Sequence, residues 1–248
     1  MVLYKYRNFA GSCHRLRTLN ILKEARIFCA PYNELNDPFE GMFWLPRVEA
    51  GQNGKSINWV ERPCNISEYL KSTGNEPRIC SFSANPWDIM MWGLYAASSK
   101  GIVIEIVFPE SFKDFPMKVD YDDTYHFHHE EDYDHNGNLV SQPLDAEAVL
   151  LHKSTCWKYE EEYRVITDNT YLDFDGCINR VIIGPNISQN DYDAVKQVCP
   201  SGCELVEAEF DFENQIVYSP IHPDYQDYHD CLNALLDDED FDQYKEFL

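Results

Sequence analysis

The chain has 248 residues, of which 44% are hydrophobic, so it is long enough to build one large domain with a sizeable core. Its 43 acidic and 20 basic residues give a formal net charge of -23, and no run rich in Lys or Arg offsets it. Because such a field repels a polyanion, the composition argues against DNA or RNA binding.

The apolar stretches and the cysteines indicate the compartment. The sequence starts with strand-like residues rather than a basic region and an apolar run, and the longest strongly apolar stretch, 101–108, is interrupted by Glu105. Nine cysteines, an odd number, are scattered through predicted strands and helices, as is typical of reduced thiols. We therefore expect a cytoplasmic protein with no membrane segment.

Strands and helices alternate along most of the chain. In chain order we predict a strand (2–7), a helix (14–26), a strand (27–31), a turn-rich loop (32–43), a polar insertion (46–63), a short helix capped by Asn65 (65–72), a buried strand (77–83), a helix (85–100), strands (101–108 and 117–122), an acidic loop (122–143), a helix (144–153), strands (157–167 and 178–184), a helix capped by Ser188 (188–198) and a last strand (203–212). This order predicts a single α+β domain over residues 1–221, with a mixed or antiparallel central sheet flanked by helices.

The C-terminal region is strongly acidic. Residues 204–248 contain 14 acidic residues and one basic residue, Lys245. We predict that 222–248 is an acidic tail, helical through apolar residues at helical spacing, which either keeps the protein soluble or holds a basic protein partner.

The helix in the middle of the chain has the clearest end signals. Asn85 stands at the expected cap, Pro86 at the first helical position and Asp88 in the first turn. Gly101 follows the predicted last turn, where glycine commonly ends a helix.

Three consecutive glutamates, Glu160, Glu161 and Glu162, interrupt an aromatic stretch. In a strand over 157–167 the side chains alternate, so Glu160, Glu162 and Arg164 would share one face. This pair of carboxylates is either part of a solvated edge face or a Glu-x-Glu pair on the floor of a cleft.

Five motifs occur in an order that resembles a known family. They are LYKYR (3–7), NDPFEG (36–41), CSFS (80–83), MWGLYA (91–96) and KSTCWKYEEEYRVI (153–166). Together they resemble the bacterial family catalogued as domain of unknown function 2971, over about residues 3–185. That family usually has a His shortly after the Tyr-Ala of the helix, whereas this chain has YAASSKG there. The resemblance implies a family but no activity.

A second set of residues resembles the Arg, Ser, Glu series of ADP-ribosyltransferases. It consists of Arg7 closing the first strand, Ser81 and Ser83 on a later strand, and Glu160 and Glu162. The opening order of strand, helix and strand is similar too, although the intervals are longer than in compact toxin members. The resemblance implies an ADP-ribosyltransferase-like fold and NAD as a substrate, without a metal.

The resemblance also implies a role for each residue. Glu162 would grip a ribose hydroxyl and face the oxocarbenium ion that forms when the nicotinamide bond breaks. Glu160 would orient or deprotonate the acceptor. Arg7 would hold the dinucleotide, while Ser81 or Ser83 would support the ribose and the catalytic carboxylate. The alternatives are a surface ion pair for Arg7 and a packing role for the serines.

Further side chains are candidates for the same cleft. Asn36, Asp37 and Glu40 lie in a turn beside the second strand and either line the site or only shape an Asx turn. Trp92 and Tyr95, one helical turn apart, either stack on nicotinamide or adenine or pack in the core. Arg164 is expected to pair with Glu160 or Glu162, which tunes or simply satisfies that carboxylate.

Two other patterns are assigned no site. The stretch YHFHHEEDYDH (125–135) has a His-x-His spacing that can chelate zinc or nickel, but without a second set of ligands a solvated loop is favoured. Cys199 and Cys203 lack obvious partners and are interpreted as loop thiols. We therefore expect no metal.

These expectations combine into one leading hypothesis and two alternatives. The leading hypothesis is an NAD-dependent ADP-ribosyltransferase-like enzyme that modifies a macromolecule, as a bacterial toxin or phage-defence effector. One alternative is a non-catalytic module that binds a ligand or a protein. The other is a hydrolase or nuclease that uses Asp37, Glu40 and Glu162 with a divalent metal.

Overall fold

A computed structural model describes residues 1–50, 57–67, 70, 77–125, 127, 144–174, 176–211 and 216–219. The chain forms two compact units that alternate along the sequence. The first unit contains Met1, Arg26–Ala84 and Phe108–Phe174, and the second contains Val2–Ala25, Asn85–Val107 and Asp175–Leu248. The strands pair mostly antiparallel and are accompanied by a few helices, which confirms the predicted α+β class. The predicted tail, 222–248, lies outside the described residues.

The elements are numbered here in chain order. The strands are β1 (Val2–Arg7), β2 (Arg26–Phe28), β3 (Ala30–Pro31), β4 (Met42–Ala50), β5 (Ile57–Asn65), β6 (Arg78–Ser83), β7 (Ile102–Val107), β8 (Met117–Lys118), β9 (Asp120–Tyr121), β10 (His152–Lys153), β11 (Glu162–Thr167), β12 (Tyr171–Asp173), β13 (Ile178–Ile183), β14 (Glu204–Glu207), β15 (Glu209–Asp211) and β16 (Ile216–Tyr218). The α-helices are α1 (Gly11–Glu24), α2 (Ile89–Leu94), α3 (Ala146–Leu150) and α4 (Gln189–Val198), and 3₁₀ helices span Tyr32–Glu34 and Thr155–Glu160.

In the first unit, β6 and β11 pair antiparallel and carry polar side chains on adjacent strands. Their register sets Glu162 opposite Ser83 and Arg164 opposite Ser81. Strand β3 pairs with β6, β8 pairs with β11, and β4 and β5 form a long hairpin. Buried apolar side chains form the core of this unit: Tyr32, Phe43, Cys64, Ile66, Leu70, Ile79, Val149 and Leu150.

In the second unit, β7 lies between β1 and β13 and is antiparallel to both. Ile102, Val103, Ile104 and Ile106 have no exposed surface, as expected for a strand covered on both faces, and only the last residue, Val107, is exposed. Strands β13 and β14 are parallel, so the chain must cross over between them, and α4 forms that crossover.

Several predicted elements are confirmed in type and position. The strands predicted over 2–7, 77–83, 101–108 and 178–184 are β1, β6, β7 and β13. The helix predicted to begin at Ser188 is α4, and the Ser188 hydroxyl accepts from Asp191 N at 3.2 Å. The polar insertion predicted over 46–63 is largely a β-hairpin, because β4 and β5 extend through most of it.

The predicted ends of the central helix are wrong. Asp88, not Asn85, caps α2, because its Oδ1 accepts from Met91 N at 2.9 Å. Asn85 accepts from Trp87 N instead, which makes a turn before the helix. The helix ends at Leu94, and residues 97–99 have positive φ, so Gly101 does not terminate it.

The strand predicted over 157–167 is also wrong in its first half. Residues Thr155–Glu160 form a 3₁₀ helix, and Glu161 has a left-handed φ of 43°. The strand begins at Glu162, so Glu160 is not part of it and the two glutamates do not share a strand face. Glu160 is nevertheless buried, and its charge is compensated by an ion pair with Lys153 of β10.

Two glycines in the second unit offer a test of this packing. A Cβ on Gly101 would lie 2.0 Å from the backbone oxygen of Arg7, whereas a Cβ on Gly93, in α2, would meet nothing within 4 Å. We expect Gly101→Ala to lower the free energy of unfolding by roughly 3 kcal/mol or more, since a backbone must move. Gly93→Ala should raise it by about 0.5–1 kcal/mol, because alanine favours a helix. Urea denaturation of the two variants and the wild type measures both, and equal effects would contradict the close approach of Gly101 to β1.

Candidate functional site

Five buried ionisable side chains of the first unit meet in one place. They are Glu40, Lys153, Glu160, Glu162 and Arg164, called the ionic cluster here, and each has 7% or less of its surface exposed. Buried charges are stable only when they are paired and hydrogen-bonded, so the contacts within the cluster decide what it can do.

The cluster is assembled from distant parts of the sequence. Glu162 and Arg164 are two residues apart on β11 and therefore share one face of that strand. Lys153 ends β10, Glu160 ends the second 3₁₀ helix, and Glu40 comes from the loop before β4. No local pattern links these three segments, because they meet only through the folded sheet.

Arg164 is the centre of the cluster and has no exposed surface. Its Nε donates to Glu162 Oε1 at 2.9 Å, and its Nη1 and Nη2 donate to the two oxygens of Glu40 at 2.6 and 2.9 Å. Nη2 also donates to Glu162 Oε2 at 3.1 Å, and Nη1 to the carbonyl of Leu150. All five N–H donors of the guanidinium are thus used.

Lys153 joins the two glutamates that the sequence singles out. Its Nζ donates to Glu160 Oε2 and, at 3.0 Å, to Glu162 Oε2. The same ammonium lies 4.7 Å from the centre of the Trp157 ring, a cation–π contact. The two carboxylates therefore share one cation rather than facing each other without compensation.

The pKa values of Glu162 and Glu40, the two glutamates paired with Arg164, are shifted in opposite directions. Burial acts to raise the pKa of Glu162, but the charges of Arg164 and Lys153 and hydrogen bonds from Arg164 and Ser81 lower it from 4.5 to about 2. For Glu40 burial outweighs Arg164, so its pKa is raised above 4.5. Burial lowers the pKa of Lys153, but the charges of Glu162 and Glu160 more than compensate and raise it. Glu162 is thus a firmly ionised carboxylate, while Glu40 takes up a proton more readily.

Hydroxyl groups complete the surroundings of Glu162. Ser81 hydrogen-bonds to its carboxylate, and the Tyr121 hydroxyl accepts from its backbone N at 2.8 Å. Burial raises the pKa of Tyr121, so this phenol stays protonated. Ser83, directly opposite Glu162 in the register, is also buried.

Asn36 and Asp37 lie in the loop that carries Glu40. Asp37 is buried and accepts from Phe39 N at 2.9 Å, and its carbonyl accepts from Glu40 N at 3.1 Å. This Asx turn orients Glu40 toward Arg164. Asn36 is exposed.

Arg7, Trp92 and Tyr95 belong to the second unit. Trp92 has no exposed surface; it packs edge-on against Tyr6 at 5.6 Å, and its Nε1 donates to Pro86 O at 2.7 Å. Arg7 ends β1, and Tyr95 is half-buried just after α2. That these three residues share a cleft with Glu162 stays a prediction.

Sequence reasoning did not identify Lys153 and Tyr121 as parts of the site. Lys153 was expected at the end of a helix over 144–153, but that helix ends at Leu150, and Lys153 lies on a short strand. The sequence feature that could have indicated Lys153 is its position directly after the apolar stretch AVLLH and seven residues before Glu160.

The His-rich stretch from 126 lies largely outside the described residues. Within the part of the chain that the structure describes, no group of three or more His, Cys, Asp or Glu side chains is arranged to hold a metal. In that same part, no helix is long and apolar enough to cross a membrane. The guanidinium of Arg164 lies between Glu40 and Glu162, two of the carboxylates considered for a metal-dependent hydrolase.

Comparisons with family models, curated proteins and solved structures find no significant match to this chain. The site must therefore be interpreted from its own chemistry.

Removing the central cation should destabilise the protein strongly. Arg164→Met keeps much of the volume but leaves Glu40 and Glu162 buried without their shared partner, so we expect a loss of about 3–5 kcal/mol in the free energy of unfolding. Arg180→Met is the matched control, since Arg180 also binds two carboxylates, Glu105 and Glu204, but is 13% exposed and Glu204 half-exposed. It should cost less, about 1–3 kcal/mol, because buried Glu105 keeps Asn179 as a donor and Glu204 stays in contact with solvent. Similar losses in urea denaturation would contradict the central role of Arg164.

The pKa values of the two glutamates paired with Arg164 should be shifted in opposite directions. Glu162 has a folded pKa of about 2 against 4.5, so its stabilising contribution is complete above pH 4.5 and is lost as pH falls toward 2. Glu40 has a raised pKa, so its contribution is complete below pH 4.5 and is lost as pH rises through the folded pKa. Carbon-detected NMR of the side-chain carboxyls should give a midpoint near pH 2 for Glu162 and above 4.5 for Glu40. The reverse order would show that the charges are arranged differently.

Proposed function

We propose that this chain is an ADP-ribosyltransferase-like enzyme that cleaves NAD and transfers ADP-ribose to a macromolecular acceptor. The observation that supports it is the hydrogen bond between Ser81 and the carboxylate of Glu162, across neighbouring strands β6 and β11. A serine that orients a buried, ionised glutamate is the arrangement that the Arg, Ser, Glu series implies. The finer fold assignment, ADP-ribosyltransferase-like, is part of this proposal.

The charge of the cluster suits the chemistry. Its three glutamates, with Lys153 and Arg164, carry one excess negative charge when all are ionised. Breaking the bond between nicotinamide and ribose develops positive charge on the ribose, and a preorganised carboxylate in a dry site stabilises it. Glu162, whose pKa is about 2, remains ionised at every physiological pH.

For catalysis, Glu162 must exchange one of its partners for a ribose hydroxyl. Its oxygens accept from Nε and Nη2 of Arg164, from Lys153 and from Ser81, which fills about four acceptor positions. Lys153 is the partner to exchange, because Glu160 also binds it and retains it when it leaves Glu162. Glu160 therefore acts on the acceptor side and on Lys153.

A second candidate function is a module that binds a ligand or a protein without turnover. The observation that favours it is the complete pairing of Arg164, whose five donors are all used within the first unit. A cluster so fully satisfied stabilises one arrangement of the loop, helix and strand that it joins, with no chemistry required.

Nicotinamide release by purified protein tests the catalytic proposal. If Glu162 stabilises the transition state, Glu162→Gln should lower the rate on the order of a hundredfold, or about 2.7 kcal/mol, while NAD affinity persists. Glu160→Gln should reduce transfer to an acceptor from cell lysate more than plain NAD hydrolysis. Glu161→Gln is the control, because Glu161 is exposed and lies between the two.

Circular dichroism and urea denaturation of each variant separate loss of chemistry from loss of folding. If the folded Glu162→Gln variant turns over NAD as fast as the wild type, Glu162 has no role in the mechanism. NAD binding without any turnover, with lysate supplied, would favour the binding module instead.

A further inference from the structure

Two cysteines lie together where α4 ends in the second unit. Cys199 directly follows the helix, and its N donates to Val195 O at 2.9 Å. The chain then turns back, since Cys203 N donates to Pro200 O at 3.1 Å and Gly202 takes a φ of +87°. The turn brings residue 203 back to residue 200, which directly follows Cys199.

The side chains of this pair interact, because each thiol perturbs the pKa of the other. The Cys203 Sγ is also 3.7 Å from Glu204 O. Both thiols are reduced and half-buried, within reach of a small reagent. A disulfide requires cysteines that are close in space, and Cys199 and Cys203 flank one tight turn.

The two sulfurs are chemically distinct. The interaction with Cys203 lowers the pKa of Cys199, whereas the interaction with Cys199, together with burial, raises the pKa of Cys203. The thiolate is the nucleophile in thiol chemistry, so Cys199 attacks first and Cys203 is the resolving thiol.

We propose that Cys199 and Cys203 form a redox-active pair that closes a disulfide when it meets a small-molecule disulfide oxidant such as oxidised glutathione. The pair lies in the second unit and does not depend on the proposed function. The bond would join the end of α4 to the start of β14, because Cys203 immediately precedes that strand.

The reaction balances in two exchange steps. The Cys199 thiolate attacks one sulfur of oxidised glutathione, whose S–S bond breaks and releases one glutathione thiolate. Cys203 then loses its proton to solvent, and its sulfur attacks the Cys199 sulfur of the mixed disulfide. A second glutathione thiolate leaves and takes up a proton. One small disulfide is thus reduced to two thiols as two protein thiols become one disulfide.

Thiol counting and peptide mass mapping test the proposal on the full chain. After reduction and exposure to oxidised glutathione, we expect the loss of two thiols per chain and a linked peptide containing Cys199 and Cys203, reversed by dithiothreitol. Cys203→Ser should instead accumulate glutathione on Cys199, because no resolving thiol remains.

The exposed thiols of Cys13 and Cys156 serve as internal controls. If exposure alone decided reactivity, they would be modified first, and each would carry glutathione without an internal link. Glutathione that stays on Cys199 in the wild type, or a wild type in which both thiols of the pair survive while Cys13 and Cys156 react, would overturn the proposal.

Discussion

The paired guanidinium of Arg164 is the interaction on which the first unit depends. A buried cation costs several kcal/mol unless acceptors surround it, and here Glu40, Glu162 and the Leu150 carbonyl supply them. These acceptors come from the loop before β4, from β11 and from the end of α3. One side chain therefore constrains three segments that no local hydrogen bonding would bring together.

The same pairing limits the chemistry available to the site. A hydrophobic cluster of similar volume often stabilises a protein equally well, so buried charges alone do not identify catalysis. What distinguishes the cluster is its uneven composition. Arg164 is fully satisfied, whereas Lys153 is shared between Glu160 and Glu162 and also rests on Trp157. A shared cation can be released by one carboxylate while the other keeps it, which makes Lys153 the adjustable part of a rigid arrangement.

Much of the fold could be predicted from sequence wherever the determining signal is local. Strand β7 is an apolar run interrupted only by Glu105, and α4 has a cap and helical spacing, so both were found. The errors arose where two local signals competed. Asn85 and Asp88 are both good caps, and only Asp88 meets the open backbone N–H. Glu161 adopts a left-handed φ, so the aromatic stretch before it does not belong to the strand. The alternation of residue types alone does not indicate this.

The sequence by itself determined the α+β class, most strands and helices, and the residue types of the candidate site, including Glu162 and Arg164 on one strand face. Only the tertiary structure decided which cations those carboxylates meet. Lys153 reaches Glu162 through β10, and an Asx turn brings Glu40 to Arg164. A backbone turn after α4 brings Cys199 near Cys203. Periodicity and capping act over a few residues, whereas the free energy of burying a charge depends on every segment packed around it.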